Sequence, residues 1–260
     1  MHGVPRPPDH MPLLRGGRPL KQWTYVGAYG PELMLCAASA RIGIVRIAWW
    51  AVWDRAHGRL LQRTARGRGG VTVSPRRAAV QGRSASFELA LGDGTPIEVL
   101  SPHGEQYAWT RKRAGVPARG WIELRGERRQ LDLRAIVDES AGYHARHTAW
   151  RWSAGVGALA SGEPVAWNLV DGIHDSATGS ERAVWVAGEP REVPPVTFAG
   201  DLSRVDGLRF AAEATRARRE NLVLLSSDYE QPFGTFSGEL PGAGELREGW
   251  GVMERHDVRW

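Results

Sequence analysis

Two properties of the 260-residue sequence predict an all-β protein with antiparallel sheets, closed into barrels or packed as a sandwich. From residue 21 onward, short segments that alternate apolar and polar residues are separated by Gly-rich turns, which is typical of half-buried strands. No segment carries the 3.6-residue periodicity of a long amphipathic helix. A third property, an internal repeat, predicts two such β modules in tandem.

Candidate strands follow one another along the chain beyond residue 20. In the first half they cover 21–28, 32–38, 42–54, 58–63, 71–74, 77–81, 84–91, 96–100, 105–111, 119–125 and 128–137. In the second half they cover 145–154, 164–170, 181–187, 195–199, 205–213, 219–227, 232–237 and 247–259. Gly92-Asp93-Gly94 predicts a hairpin turn, because Asp-Gly tolerates the positive φ that such turns require.

Three short matches relate the two halves, at offsets of 127 to 132 residues. They are Ala51-Val52-Trp53 with Ala183-Val184-Trp185, Gly120-Trp121-Ile122-Glu123 with Gly251-Val252-Met253-Glu254, and Trp23 with Trp150. A nearly common offset indicates duplication of one module. We therefore expect a flexible arm at 1–20, a first β-barrel-like domain at 21–137 and a second at 138–260.

The formal net charge of +5 raises the question of nucleic-acid binding, since basic surfaces attract phosphate. Only Lys21 and Lys112 are lysines, and the arginines are scattered among carboxylates in small groups. No zinc-finger, RNP or helix-turn-helix pattern is present. The composition therefore favours a protein that does not bind nucleic acid.

Cysteine content and hydropathy favour a cytoplasmic protein. Cys36 is the single cysteine, lies in an apolar run and is expected to be a buried small hydrophobe rather than a reactive thiol. No run of about 18 apolar residues predicts stable membrane insertion, and the N-terminus lacks the apolar core of a signal peptide. Phosphate-binding loops, dinucleotide fingerprints, nucleophile elbows and zinc-protease helices are also missing, so we expect no cofactor. The oligomeric state stays open.

Residues 138–189 hold four of the twelve Trp and three of the eight His, and they are the best candidate for a site. Trp150 and Trp152 share one parity of a predicted strand, and Trp167 lies on the next one. The polar members cluster near predicted strand ends and in the Gly-containing loop 171–180, where sites usually lie. They are His144, His147, Thr148, Asn168, Asp171, His174, Asp175 and Glu181.

Several sequence phrases resemble a bacterial domain-of-unknown-function family, number 2804. They are WTYVGAYGPELMLCAA at 23–38, IAWWAVWD at 47–54, GYHARHTAWRWSAGVG at 142–157, VAWNLVDG at 165–172, SERAVWVAGE at 180–189, GTFSG at 234–238 and GWGVMERHDVRW at 249–260. The layout is similar to that of two-barrel, lipocalin-related proteins, which include carotenoid hydratases, tocopherol cyclase, kievitone hydratase and fungal survival factor. The resemblance implies tandem lipocalin-like (calycin-like) antiparallel barrels that hold an apolar ligand, and in some members acid catalysis on an alkene.

The first functional expectation is a protein that binds a hydrophobic small molecule, such as a lipid, terpenoid or polyketide, in a Trp-lined pocket formed mainly by the second half. The alternative is a cofactor-independent lyase or isomerase of the hydratase or cyclase kind, which needs a buried acid with a raised pKa. A carbohydrate-active β protein is a weaker alternative.

Candidate catalytic residues are Glu181 and Glu254 as proton donors, with His147 to hold water or take a proton back. Candidate ligand-binding residues are His144, Trp150, Trp152, Trp167, Asn168, Asp171 and His174. Competing structural interpretations stay open for most of them. The tryptophans could equally be core residues, and Asn168 could join neighbouring strands by hydrogen bonds. His174 and Asp175 could lie in a solvated loop, and Glu181 could pair with Arg151 or Arg182.

No metal site is expected. His144 and His147 are three residues apart, which places them on opposite faces of a strand, and no third ligand follows at a recognisable spacing.

Overall fold

The computed structural model describes residues 3–222 and 225–260, and nearly all of its regular structure is β-strand. In the first half the strands are β1 Leu14–Arg15, β2 Arg18–Pro19, β3 Lys21–Tyr29, β4 Leu33–Ile42, β5 Val45–Asp54, β6 Arg59–Arg66, β7 Val71–Ser74, β8 Arg77–Gln81, β9 Ala85–Leu91, β10 Ile97–His103, β11 Gln106–Leu124 and β12 Glu127–Gly142. One 3₁₀ turn covers Arg55–His57. No helix in the described residues has the length and apolar character to cross a membrane.

The second half continues with eight strands. They are β13 His147–Leu159, β14 Pro164–Asp171, β15 Ala183–Val186, β16 Glu189–Glu192, β17 Arg204–Val205, β18 Leu208–Leu222, β19 Leu225–Leu240 and β20 Gly244–Arg259. The predicted strand at 219–227 and the predicted arm at 1–20 each include positions, 223–224 and 1–2, that lie outside the described residues.

Apart from β1 and β2, which pair only with each other, the strands form two curled antiparallel sheets with matching topology. The order is β6-β5-β4-β3-β12-β11-β9-β8-β7 in the first sheet, with β10 also paired to β11, and β16-β15-β14-β13-β20-β19-β18-β17 in the second. In each sheet the first long strand pairs with the last, β3 with β12 and β13 with β20. The first sheet curls over itself, so that β7 lies against β3 and β4.

The strand order of the two sheets shows which of the three sequence matches lie on equivalent strands. Trp23 and Trp150 lie on the equivalent strands β3 and β13, and Trp53 and Trp185 lie on the equivalent strands β5 and β15. The Gly-x-x-Glu match fails, because Glu123 lies on β11 whereas Glu254 lies on β20, whose equivalent is β12. Two of the three matches therefore coincide with the repeated architecture.

Strand alternation divides the apolar residues among three large cores. On β4, Leu35 faces the interior of the first sheet while its neighbour Cys36 faces the second sheet. On β14, Trp167 faces the interior of the second sheet while Val170 faces the first. Since each sheet is apolar on both faces, the two sheets pack together through a third core between them.

Trp167 shows how closely the second sheet is packed. It is completely buried, its ring contacts Phe236 edge-on, and its indole N–H donates to the Ser153 hydroxyl at 3.0 Å. A Cβ at Gly155 would lie 2.2 Å from the Trp167 ring, so only glycine leaves room for the indole. Trp167 is therefore part of the core of the second sheet and does not line the cavity described below.

Some predicted elements are wrong. Gly92-Asp93-Gly94 does not close a hairpin, because β9 and β10 both pair with the long strand β11 instead of with each other. Residues 195–199 form only an isolated bridge from Phe198 to Val205. The predicted gap between 105–111 and 119–125 is spanned by β11, whose register shifts between Ala114 and Val116.

The N-terminal segment, predicted as a flexible arm, packs on the first sheet. Met11 and Leu20 are buried beside Tyr107 and Tyr143. The Tyr143 hydroxyl donates to the Pro12 carbonyl at 2.6 Å. These apolar contacts are too widely spaced in the sequence to produce a periodic signal.

Candidate active site

A cavity of about 170 Å³ lies between the two sheets. A single buried water needs only about 10–15 Å³, so the cavity has room for an organic molecule. Both halves supply its walls, and the second half supplies the larger part. The lining residues are Trp23, Tyr25, Ala40, Ile42, Ile47, Trp49, Thr64, Lys112, Asp138, Trp150, Trp152, Val170, Ile173, His174, Glu181, Arg216, Arg218, Glu220, Ser227, Tyr229, Glu254, His256, Val258 and Trp260.

Strand alternation explains the aromatic wall. Trp150 and Trp152 have the same parity on β13, and Trp23 and Tyr25 have the same parity on β3. The rings of Tyr25 and Trp152 meet edge to face across the gap between the sheets, with centroids 5.4 Å apart. The cavity therefore presents large apolar surfaces with indole and phenol polar groups at defined points.

The first group of charged residues in the cavity consists of Lys112, Asp138 and Glu181. The Lys112 ammonium lies 2.7 Å from Asp138 Oδ1 and 3.3 Å from Glu181 Oε1. All three side chains are buried. Glu181 Oε2 has no hydrogen-bond partner among the described residues. One cation therefore serves two carboxyl groups, and one carboxyl oxygen is buried without a hydrogen-bond partner.

Burial and neighbouring charges shift the pKa values of this group. Burial raises the pKa of Asp138, the Lys112 ammonium opposes that shift, and the Glu181 carboxylate adds to it. Burial acts to lower the pKa of Lys112, but the two carboxylates beside it produce a net increase. The lysine therefore stays charged, while Asp138 favours a proton more than an exposed aspartate does.

Glu181 is held by its backbone from both sides. Its amide N–H donates to the His174 carbonyl at 3.0 Å, and its carbonyl accepts from the Asn168 amide at 2.8 Å. Arg182 fixes the same loop by donating to the carbonyls of Asp175 and Ser176. Neither Arg151 nor Arg182 pairs with Glu181, so the predicted arginine partners are replaced by Lys112.

The second acidic group centres on Glu254. Its Oε1 accepts from the Trp150 indole at 2.8 Å, and its Oε2 accepts from Tyr229 at 3.0 Å and Gln231 at 2.8 Å. Burial raises the pKa of Glu254, although these hydrogen bonds oppose the increase. No cation lies within salt-bridge distance of Glu254 among the described residues, so this acid has only neutral groups in direct contact.

Asp138 and Glu254 occupy equivalent places in the two sheets. Asp138 lies opposite Tyr25 on β3, and Glu254 lies opposite Trp152 on β13. In each sheet the tryptophan two residues earlier donates to the acid, Trp23 to Asp138 at 3.3 Å and Trp150 to Glu254 at 2.8 Å. We call these the first and second indole–acid pairs. They bring two buried acids to one cavity from opposite sides.

Five of the predicted site residues line the cavity. They are Trp150, Trp152, His174, Glu181 and Glu254. His174 adopts a φ of 50°, in the left-handed region, and its Nδ1 lies 2.9 Å from the Ser101 hydroxyl. Backbone strain of this kind often occurs at sites, because the surrounding structure must hold it in place.

The other predicted residues lie elsewhere. His147 is exposed and pairs with Asp257 at 2.9 Å, because its odd position puts it on the opposite face of β13 from Trp150 and Trp152. Asp171 is half-buried and faces Arg151 at 3.5 Å. Neither His147 nor Asp171 lines the cavity, contrary to the sequence prediction.

His144 and Asn168 support the wall from behind. His144 is buried against Trp23, with ring centroids 5.1 Å apart, and does not line the cavity. Asn168 accepts from the Trp152 indole at 2.7 Å while it donates to Glu181. Asn168 thus links neighbouring strands by hydrogen bonds, between the indole of Trp152 and the backbone carbonyl of Glu181.

His103, His144 and His174 form a cluster beside the cavity, with ring centroids 5.0 to 6.1 Å apart. Burial and nearby positive charges lower the pKa of all three, to about 3 for His174. Across residues 3–222 and 225–260, no group of three or more His, Cys, Asp or Glu is arranged to hold a metal ion.

Sequence reasoning gave no site role to Asp138 and missed the residues that enter the cavity from outside 138–189. Among the latter are Trp23, Trp49, Lys112, Arg216 and Tyr229. One signal was available for Lys112 and Asp138. Lys112 is one of only two lysines in a chain whose other cations are arginines, and it lies opposite Asp138 in the β11–β12 hairpin. Nothing local distinguishes Arg216 from the other strand arginines.

The sequence profile of a domain of unknown function, DUF2804, matches residues 66–260. The chain belongs to the DUF2804 family. None of the curated proteins compared matches it. Among solved structures, a protein from Nitrosomonas europaea assigned as AttH aligns over 90% of this chain and 92% of its own, with 15% identity and a TM-score of 0.55.

Kievitone hydratase from Nectria haematococca aligns with this DUF2804 chain over 90% of the chain and 88% of its own length, with 10% identity and a TM-score of 0.56. At these identities the similarity establishes the fold alone. The predicted fold class, all-β with tandem lipocalin-like barrels, is confirmed.

Proposed function

We propose that this DUF2804 protein is a cofactor-independent acid–base enzyme, a lyase or isomerase, acting on a largely apolar small molecule bound between its two sheets. The observation that carries the proposal is that one aromatic cavity contains two buried acids in different surroundings, Glu254 held by neutral donors and Glu181 beside Lys112. Two acids in contrasting environments suit an acid role and a base role.

Glu254 is the proposed source of the proton, and Tyr229 delivers it. The Tyr229 hydroxyl lies 3.0 Å from Glu254 Oε2 and lines the cavity. When Glu254 carries its proton, the hydrogen bond reverses: Glu254 donates to the Tyr229 oxygen, and the hydroxyl gives its own proton to an alkene carbon of the substrate while it takes the proton of Glu254. The resulting carboxylate keeps the N–H donors of Trp150 and Gln231.

Protonation of an alkene leaves a cationic carbon, which the aromatic wall stabilises. The faces of indole rings attract cations, and Trp150 and Trp152 line the cavity on β13, which pairs with the strand that carries Glu254. An apolar environment also excludes the water that would otherwise consume the cation without control.

Glu181 is the proposed base, acting through its unpartnered Oε2. It takes a proton either from the carbon next to the cation, which completes an isomerisation, or from a water that adds to the cation, which completes a hydration. Proton exchange with solvent then returns Glu181 to its carboxylate and Glu254 to its acid form. The cycle consumes no oxidant or reductant.

Binding without turnover is the second candidate. The apolar lining alone suffices for a carrier, which would need neither acid. A carbohydrate-active site is less favoured, because the wall is dominated by apolar and aromatic side chains rather than by polar groups.

The deciding experiment starts with native mass spectrometry of the protein purified from its own host, followed by extraction and identification of the bound molecule. Glu254→Gln and Glu181→Gln are then assayed with that molecule and its relatives. We expect each variant to lose about 10²–10⁴-fold in turnover while it retains binding. The matched control is Glu123→Gln, since Glu123 shares the Gly-x-x-Glu pattern but is exposed on β11.

Turnover by the wild type should decline as pH rises through the raised pKa of Glu254, because the reaction needs its protonated form. Unchanged turnover in both variants would leave only the carrier function. A protein that carries nothing and binds none of a panel of polyenes and fatty acids would contradict the apolar-ligand proposal altogether.

A further inference from the structure

Three cationic side chains line the cavity, and they differ in how their charge is balanced. Lys112 has two carboxyl groups within 3.3 Å. Arg218 pairs with Glu220 at 2.6 Å. Arg216, two residues earlier on β18, has no carboxylate within 4.0 Å among residues 3–222 and 225–260. The sequence places no Asp or Glu at positions 1, 2, 223 and 224.

Arg216 is nevertheless buried, with only 4% of its surface exposed. One hydrogen bond is found for its guanidinium, to the Thr64 hydroxyl at 2.9 Å. Its charge lies over two aromatic rings, 4.8 Å from the centroid of Tyr229 and 5.6 Å from that of Trp49. A guanidinium has five N–H donors, so most of them are free to bind a molecule in the cavity.

An unpaired buried cation is costly, because the charge loses hydration without gaining a counter-ion. The aromatic faces offset part of that cost but cannot accept directional hydrogen bonds in the plane of the guanidinium. Glu254 lies near enough for the charge of Arg216 to act against the rise in its pKa, but no ion pair within 4.0 Å joins the two among the described residues. The partner that Arg216 lacks is a negatively charged hydrogen-bond acceptor.

We propose that Arg216 binds an anionic oxygen of the ligand, so that the ligand class is an apolar organic acid, with a carboxylate or an acidic enol at one end. This inference rests on the proposed function, whose cavity it uses. With the anionic end at Arg216, the ligand lies over Tyr229 and against the tryptophans of β13. The same contact positions the substrate beside the Tyr229 hydroxyl that delivers the proton.

The test compares two probes that differ only at the polar end, dodecanoic acid and dodecan-1-ol, in displacement of the neutral dye Nile red from the full-length protein. For the wild type we expect the acid to bind about tenfold to a hundredfold more tightly than the alcohol, the range for a hydrogen bond to a charged group. Arg216→Gln should remove this preference without weakening the alcohol. Arg209→Gln, the matched control, changes an exposed arginine on the same strand outside the cavity and should keep the preference.

Arg216→Lys keeps a positive charge and should retain part of the preference for the acid. This variant keeps the test decisive if Arg216→Gln does not fold. Equal binding of acid and alcohol by the wild type, or a preference that survives Arg216→Gln, would overturn the inference while leaving the apolar cavity intact. If neither probe nor the dye binds, the proposed function and this inference both fail.

Discussion

The two sheets present the same arrangement to the cavity with different charge. In the first, Trp23 donates to Asp138, and Lys112 on the neighbouring strand supplies an ammonium. In the second, Trp150 donates to Glu254, and the equivalent neighbouring strand supplies the neutral amide of Gln231. A repeated framework can therefore give two acids unlike properties by changing one residue beside each.

The largest expected effect comes from removing the cation of the first pair. Lys112→Met leaves Asp138 and Glu181 buried without a counter-charge, and we expect it to cost about 3–5 kcal/mol of unfolding free energy. Urea denaturation of the wild type and the variant at neutral pH measures this. The double variant Lys112→Gln/Asp138→Asn, which removes one of the two carboxyl groups together with the cation, should recover part of the loss. No recovery would show that packing rather than charge makes Lys112 important.

Acidification should destabilise both sides of the cavity. Burial is the main cause that lowers the pKa of His174 to about 3 and of His256 to about 4, from 6.5. The unfolded chain therefore binds protons that the folded chain does not, and stability falls as pH decreases below 6.5. At pH 5 each histidine contributes a loss on the order of 2 kcal/mol.

Denaturation curves between neutral pH and pH 5 measure this acid sensitivity. His174→Gln and His256→Gln should each flatten the pH dependence, one near the first acidic group and one near the second. The raised pKa values of Asp138 and Glu254 act in the opposite direction, so the comparison with the variants decides: a pH dependence that both histidine variants leave unchanged would contradict the neutral state of the buried histidines.

A smaller effect is expected at the neutral neighbour of the second pair. Gln231→Leu removes one of three donors to Glu254 but leaves no charge unbalanced, so it should cost about 1–2 kcal/mol. It should also raise the pKa of Glu254 further, which carboxyl-stretch infrared spectroscopy can follow. If Gln231→Leu costs as much as Lys112→Met, the charge difference between the two pairs does not control stability.

The smallest effect is expected at the exposed pair of His147 and Asp257. His147→Ala should change stability by less than about 1 kcal/mol, the usual range for exposed ion pairs, and should leave ligand binding unchanged. Loss of binding or turnover in this variant would restore the catalytic role that the sequence predicts for His147.

Local sequence patterns predicted much of the fold and part of the site. Period-2 alternation is sufficient to place Trp150 and Trp152 on one face, and both line the cavity. The same rule could have excluded His147, which has the other parity on β13. Trp167 could not be separated from them by pattern, because a strand buried on both faces has no polar side to mark the cavity.

The sequence by itself determined that the chain is all-β, that it carries two related modules and that residues 138–189 combine tryptophans with histidines and carboxylates. Those properties follow from side-chain period, turn residues and repeats, which act over a few neighbours. The tertiary structure decided that the cavity lies between the sheets, that Asp138 and Lys112 join Glu181, and that Arg216 lacks a carboxylate. These groups meet across strands far apart in the chain, so their charges and pKa values depend on packing that no local pattern encodes.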